Sequence, residues 1–215
     1  KIRLTGGEPL ARRDVDVLIQ QLGRHVQSGA LDELTLTTNG SRLALFAPIL
    51  KESGVRRINV SLDSLVPARF NAVTRGGDLG QVLDGIAAAK RNGLAVRINM
   101  VALKGVNDDE ILPIAEYCTA NGFDLALIET MPLGDGVSGR TEQFIPLDEF
   151  IAPLRETGTL SPLDHRTAGP ARYYRLEPLG LRLGLITPMT HNFCGDGNRL
   201  RLPSDGKVHM CLGSE

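Results

Sequence analysis

The chain has 215 residues, 42% apolar and 23% charged, enough to bury one substantial core with an appendage. Lys and Arg number 24 against 25 Asp and Glu, a formal net charge of −1, so bulk electrostatics gives no footprint for nucleic acid or an anionic membrane. An anionic ligand must be met by a local cluster of basic side chains.

In chain order, two signals alternate as far as Thr130. Short β-branched or apolar runs predict strands over residues 1–5, 33–38, 57–62, 95–101 and 123–129. Apolar residues at helical spacing predict helices over 14–26, 42–53, 79–92 and 108–121. Val15, Leu18, Ile19, Leu22 and Val26 trace the apolar face of the first. Gly54, Gly93 and Gly122 fall just past the other three helix ends, where a left-handed residue is expected, and Asn107 is the expected N-cap of the fourth helix. Cys118 sits in that helix's apolar pattern and reads as a core residue. Strand–helix alternation with short loops implies a parallel sheet with right-handed crossovers, wound as an open layer or a barrel.

After Met131 the texture changes. Residues 134–139 form a glycine-rich loop, 147–154 a short helix and 158–169 a loop. Residues 173–187 and 199–210 read as antiparallel strands, with Asp205-Gly206 as a hairpin turn. The chain therefore divides into 1–131 and 132–215. Its first residues already read as strand, with no initiator Met or leader, so a preceding segment is expected. The cysteines, Cys118, Cys194 and Cys211, are too sparse for a disulfide framework and fit a reducing compartment, the cytoplasm. No apolar run reaches the roughly 18 residues of a membrane-spanning helix.

In parallel α/β folds, ligands sit beyond the C-terminal ends of the strands. Those ends here carry Thr5-Gly6-Gly7-Glu8-Pro9, Thr37-Thr38-Asn39-Gly40, Ser61-Leu62-Asp63-Ser64, Asn99, and Glu129-Thr130-Met131. Any one is ordinary loop chemistry; all of them on one rim mark a ligand site. Gly6 and Gly7 let the backbone approach a ligand closely and hold an amino-acid moiety, while Pro9 restricts Glu8. No Gly-Lys-Ser/Thr follows, so this is not a phosphate loop.

The run Leu4-Thr5-Gly6-Gly7-Glu8-Pro9-Leu10, with Arg12-Arg13-Asp14, resembles the second-strand motif of radical S-adenosylmethionine (SAM) enzymes, and specifically of the MoaA family of GTP 3′,8-cyclases. Thr37-Thr38-Asn39-Gly40, Asn59-Val60-Ser61-Leu62-Asp63-Ser64-Leu65, Lys104-Gly105-Val106-Asn107 and Gly169-Pro170-Ala171 follow in that family's order. The resemblance implies an α/β fold: an incomplete (βα)6 radical SAM barrel, five of its strands present, with a small C-terminal antiparallel β subdomain. It implies SAM binding at Gly7, Ser61 and Met131. It implies GTP contacts from Arg3, Thr37 and Arg97, the last replacing a family Lys, and from Arg199 and Arg201. It also implies a homodimer. The implied reaction begins when SAM is cleaved reductively at a [4Fe–4S] cluster. The deoxyadenosyl radical takes the ribose 3′ hydrogen, and the ribose carbon then bonds to C8 of guanine, on the way to molybdopterin. The Cys-x3-Cys-x2-Cys loop for that cluster is not in the sequence and is expected on the preceding segment. No motif assigns an acid–base residue.

Asn192-Phe193-Cys194-Gly195-Asp196-Gly197-Asn198-Arg199-Leu200-Arg201-Leu202 resembles the family's second cluster site, Cys-x2-Cys-x13-Cys. Cys194 and Cys211 take its first and third positions and Gly197 its second, so two thiolates instead of three are offered to a second [4Fe–4S] cluster. Arg199 and Arg201, two apart on an expected strand, project to one face, where paired guanidiniums can grip phosphate oxygens. By residue type alone, His191, Cys194, His209 and Cys211 also make a zinc tetrahedron. Two further functions stand beside the cyclase: another radical SAM maturase with an auxiliary cluster, and a non-catalytic nucleotide-binding relative.

Overall fold

Short strands and longer helices alternate through a first unit, Lys1–Met100 with Pro113–Leu125, in a computed structural model that describes residues 1–131, 142–165, 169–190 and 200–209. Strands β1 (Ile2–Leu4), β2 (Leu34–Thr38), β3 (Arg57–Ser61) and β4 (Ala95–Ala102) lie side by side in that order, parallel throughout. Helices α1 (Val15–Gln27), α2 (Leu43–Glu52), α3 (Pro67–Thr74) and α4 (Leu79–Arg91) form the crossovers, and α5 (Ile111–Asn121) follows β4. The sequence patterns missed α3, a short helix with Phe70 as its buried residue. Its legible signal is Pro67 in the first turn, where a missing N–H costs nothing. Asn107 does not cap α5, which starts only at Ile111. Its Oδ1 accepts from Leu103 N and its Nδ2 donates to Val101 O, both at 2.9 Å, closing the turn at Lys104–Asn107 instead.

Parallel strands buried on both faces are normally apolar throughout; these alternate. Leu34, Leu36, Ile58, Val60, Val96, Ile98 and Met100 occupy one face and are buried. Helices cover that face: Val60 and Val82 of α4 both press on Gly40. A Cβ on Gly85 would lie 2.5 Å from Gly40 O and 3.0 Å from Leu43 Cβ, so α4 meets the start of α2 at a distance only glycine permits. The opposite face carries Arg3, Thr35, Thr37, Asn59, Ser61, Arg97 and Asn99, in registers Arg3↔Thr35, Thr37↔Asn59↔Arg97 and Ser61↔Asn99.

At the N-terminal ends of these strands, Glu33 receives Arg57 Nε at 2.6 Å and the Lys1 ammonium. Burial works to raise the Glu33 pKa, but the Arg57 and Lys1 cations outweigh it and hold the carboxyl at about 2. A depressed pKa contributes stability above the ordinary carboxylate range, and that contribution is lost as pH falls toward about 2. Glu33→Gln should therefore cost about 1 kcal/mol near neutral pH. Thermal melts should show the gap to wild type closing through the acid range. A gap independent of pH would contradict this account.

The second unit, Val101–Leu112 with Ala126–Glu215, takes in most of β5 (Asp124–Glu129). Short helices α6 (Leu147–Phe150) and α7 (Ala152–Thr157) follow, then β6 (Thr159–Pro162), β7 (Arg172–Glu177) and β8 (Leu181–Ile186). β6, β7 and β8 pair antiparallel, and β8 is the strand beside β5. Phe150, Leu154, Leu176 and Leu183 are buried in this unit's core. Thr159–Pro162 was expected to be loop; its pairing with Tyr174–Glu177 makes it an edge strand, where a terminal proline is tolerated. In place of a long hairpin, residues 200–209 show one bridge, Arg201↔His209, and the expected turn, with Gly206 N donating to Pro203 O at 3.1 Å.

Candidate functional site

β1 ends at Leu4, and the chain turns through Thr5-Gly6-Gly7 into a single 3-10 turn, Pro9–Ala11. Gly6 has φ 127°, which side chains rarely adopt. A Cβ on either Gly6 or Gly7 would meet nothing within 4 Å, so this backbone faces open space. It borders a cleft of about 250 Å³ lined also by Glu8, Thr37, Thr38, Asn39 and Ser61.

Both oxygens of Glu8 are engaged. Oε1 accepts from Leu10 N at 3.0 Å and from the Thr38 hydroxyl at 2.7 Å; Oε2 accepts from Asn39 N at 2.6 Å. Thr38 Oγ1 in turn accepts from Gly40 N at 3.1 Å. One carboxylate thus ties the turn after β1 to the turn after β2. The sequence suggested only that Pro9 restrains Glu8. The partner lies thirty positions away, and nothing local to Glu8 announces it.

Behind the rim, Thr37, Asn59 and Arg97 form one row across three strands. Asn59 Nδ2 donates to Leu36 O at 3.2 Å and to Thr37 Oγ1 at 3.3 Å, fixing the threonine. Asn59 and Arg97 are buried, while Ser61 is exposed at the rim. Arg3 stands in register with Thr35, whose hydroxyl donates to Arg57 O at 2.9 Å. Asn99 Oδ1 is buried without a hydrogen-bond partner among the described residues, and a ligand hydroxyl or N–H would satisfy it. Asn59 was not singled out from the sequence. The signal for it is the polar alternation Thr35/Thr37, Arg57/Asn59/Ser61, Arg97/Asn99 inside strands of a parallel sheet.

Of the residues expected in the site, Gly7, Thr37 and Ser61 line the cleft, and Arg3, Thr37, Ser61 and Arg97 share the polar face. Met131 belongs to the second unit, partly buried after Thr130. Arg201 lies exposed in the short bridge. His191, Cys194, Gly197, Arg199 and Cys211 fall outside the described residues, so the thiolate pair and the zinc alternative both stand on sequence alone. Among the described residues no three metal-ligating side chains gather. Cys118 is fully buried, and burial first, then the nearby Asp124, pushes its thiol up to about 12. It is a core residue.

Residues 1–118 match the family model of the Radical SAM superfamily, and residues 123–215 that of Molybdenum Cofactor Synthesis C. The GTP 3′,8-cyclase of Nitrobacter winogradskyi is 56% identical over 215 residues, covering 100% of this chain and 63% of that protein. The GTP 3′,8-cyclase of Brucella canis is 55% identical over 213 residues, 99% of this chain and 62% of that one. The chain thus spans about three-fifths of the length of the curated relatives it matches. Among solved structures, Streptococcus suis SuiB bound to precursor peptide SuiA has a TM-score of 0.55 at 20% identity, over 72% of this chain and 34% of that one. Native anSMEcpe with bound AdoMet and Cp18Cys peptide has a TM-score of 0.55 at 20% identity, over 72% of this chain and 46% of that one. These similarities establish the fold as a partial βα barrel followed by antiparallel strands. No helix among the described residues is long and apolar enough to cross a membrane.

Proposed function

The chain belongs to the radical SAM superfamily, and from that premise we propose that it is the larger part of a GTP 3′,8-cyclase that binds SAM along the strand-end rim and GTP against the polar sheet face. One observation carries this reading: a face of the parallel sheet that should be apolar is lined with arginine, asparagine and threonine, directly below a glycine turn open to ligand. SAM suits that turn. The open Gly6-Gly7 backbone offers amide and carbonyl groups to its amino-acid end, and Ser61 and the unsatisfied Asn99 oxygen offer polar partners beside it. When bound and cleaved, SAM supplies the radical chemistry. Arg3 and Arg97 neutralise the triphosphate, with Arg199 and Arg201 as the second basic group. Asn59 holds the Thr37 hydroxyl in one orientation toward the sugar. Cys194 and Cys211 would be the chain's own thiolates for a second [4Fe–4S] cluster, and the family resemblance adds Met131 to the SAM contacts. The family resemblance adds a cytoplasmic homodimer.

The deciding experiment uses the full-length protein, loaded anaerobically with iron and sulfide and given SAM, reductant and GTP. GTP-dependent 5′-deoxyadenosine with a cyclised nucleotide is the expected result. SAM turnover that leaves GTP unchanged would overturn it in favour of a maturase, a reading that Gly197 at a cysteine position keeps alive. Retained GTP binding with no iron or sulfide would favour a non-catalytic relative.

Gly7→Val separates binding from folding. The added side chain enters open space, so the unfolding free energy should stay within about 0.5 kcal/mol of wild type. SAM affinity, by calorimetry, should fall by at least about tenfold because the side chain occupies the ligand's approach. Unchanged affinity would remove the Gly6-Gly7 turn from the SAM site.

A further inference from the structure

A carboxylate leaves water only at a steep cost unless its oxygens are satisfied. Glu129, the last residue of β5, is 1% exposed. Its donors come from two distant parts of the second unit. Oε1 accepts from Leu147 N at 3.3 Å, at the start of α6, and from the Thr190 hydroxyl at 2.7 Å. Oε2 accepts from Met189 N and Thr190 N, both at 3.1 Å. Among the described residues all four donors are neutral, so there the side chain acts as an acceptor hub. Thr130, the next residue, is also buried, and its hydroxyl donates to Ala102 O at 2.7 Å.

The placement in sequence gives the hub its meaning. Glu129 lies two residues before Met131. Met189 and Thr190 lie beyond the last residue of β8, and the chain continues from them directly into the stretch with Cys194 and Arg199. Over residues 187–190 no strand pairing holds the chain in register, and the carboxylate takes over that task. An apolar residue could fill the same volume but would leave three backbone amides and the Thr190 hydroxyl to choose other partners.

We propose that Glu129 is a positioning residue. It fixes Met189 and Thr190 against the end of β5, and so sets the point from which the substrate-binding stretch departs relative to the SAM-side residue Met131. The inference rests on the cyclase reading for its consequence, though not for its geometry. Loss of the hub should leave SAM cleavage intact and misdirect its outcome.

The test uses full-length, cluster-loaded enzyme with Glu129→Gln and Thr190→Val. Gln keeps the shape but turns one acceptor oxygen into a donor; Val removes only the hydroxyl donor. Amide hydrogen exchange at residues 187–190 should speed up by at least about tenfold in E129Q and about threefold in T190V. In E129Q, 5′-deoxyadenosine formation should stay within about twofold of wild type while cyclised product per SAM cleaved falls about tenfold. T190V should show the same split, weaker. Unchanged exchange in either folded variant would overturn the proposal. So would SAM cleavage and product falling in proportion, which a merely structural role predicts. Wild-type enzyme that makes no cyclised product would sink the cyclase reading instead, and the exchange measurement would still decide the positioning role.

Discussion

Glu8→Gln in the full-length enzyme should weaken SAM binding by roughly thirtyfold, about 2 kcal/mol. The expectation follows from what each oxygen does. If the amide oxygen faces Leu10 N and the Thr38 hydroxyl, the new NH2 opposes Asn39 N, now only 2.6 Å from its acceptor. If the amide flips, Leu10 N is opposed instead. Either way one backbone N–H loses a charge-assisted bond, typically about 1.5–3 kcal/mol. The loss falls on the clamp between two strand-end turns and reaches SAM through the Gly6-Gly7 backbone that the clamp steadies. Glu8 is thus a positioning residue. Thr38→Val removes one of the three bonds and should cost less, about threefold to tenfold. Calorimetry with SAM checks both. Loss of thermal stability with unchanged affinity would show that the clamp serves folding alone.

The second large effect concerns Arg97. Arg97→Met keeps a long side chain in the buried row with Asn59 and Thr37 but removes the charge. KM for GTP should rise by about a hundredfold, near 3 kcal/mol, because a cation buried on a sheet face acts on phosphate in a lower dielectric than a surface one. SAM affinity should hardly move. Arg97→Lys should recover most of the loss, since it restores the cation, although a point charge cannot reproduce the guanidinium fork. Steady-state kinetics with GTP varied at saturating SAM separates these outcomes. A fall in kcat with KM unchanged would mean that Arg97 does not hold the ground-state nucleotide.

Element positions were legible wherever local chemistry decides them. The strands at Ile2–Leu4, Leu34–Thr38, Arg57–Ser61, Ala95–Ala102 and Asp124–Glu129 follow from apolar runs, and helix ends at Gly54, Gly93 and Gly122 from the left-handed φ that each adopts. Thr159–Pro162 was not legible, because its strand state comes from pairing with β7 and not from Thr, Ser and Pro themselves. The glycine turn and the polar strand ends stood out because small and polar residues there are locally costly without a ligand. The carboxylate clamps of Glu8 and Glu129 did not, since their partners lie across the fold: Glu8 bonds to Asn39, and Glu129 to Thr190. A glutamate after Gly-Gly and a glutamate ending a strand look alike in sequence whether they meet solvent, substrate or a set of backbone and hydroxyl donors.

The burial of Cys118 has a practical corollary. Burial pushes its thiol up to about 12, so the thiolate, the form that reacts, is scarce there near neutral pH. In the folded protein an alkylating reagent passes over this cysteine, so native thiol titrations count the candidate cluster ligands without a structural background. The same sulfur becomes reactive once α5 opens. Cys118 is therefore a built-in clock for unfolding, readable by mass spectrometry in the same tube that reports on iron loading.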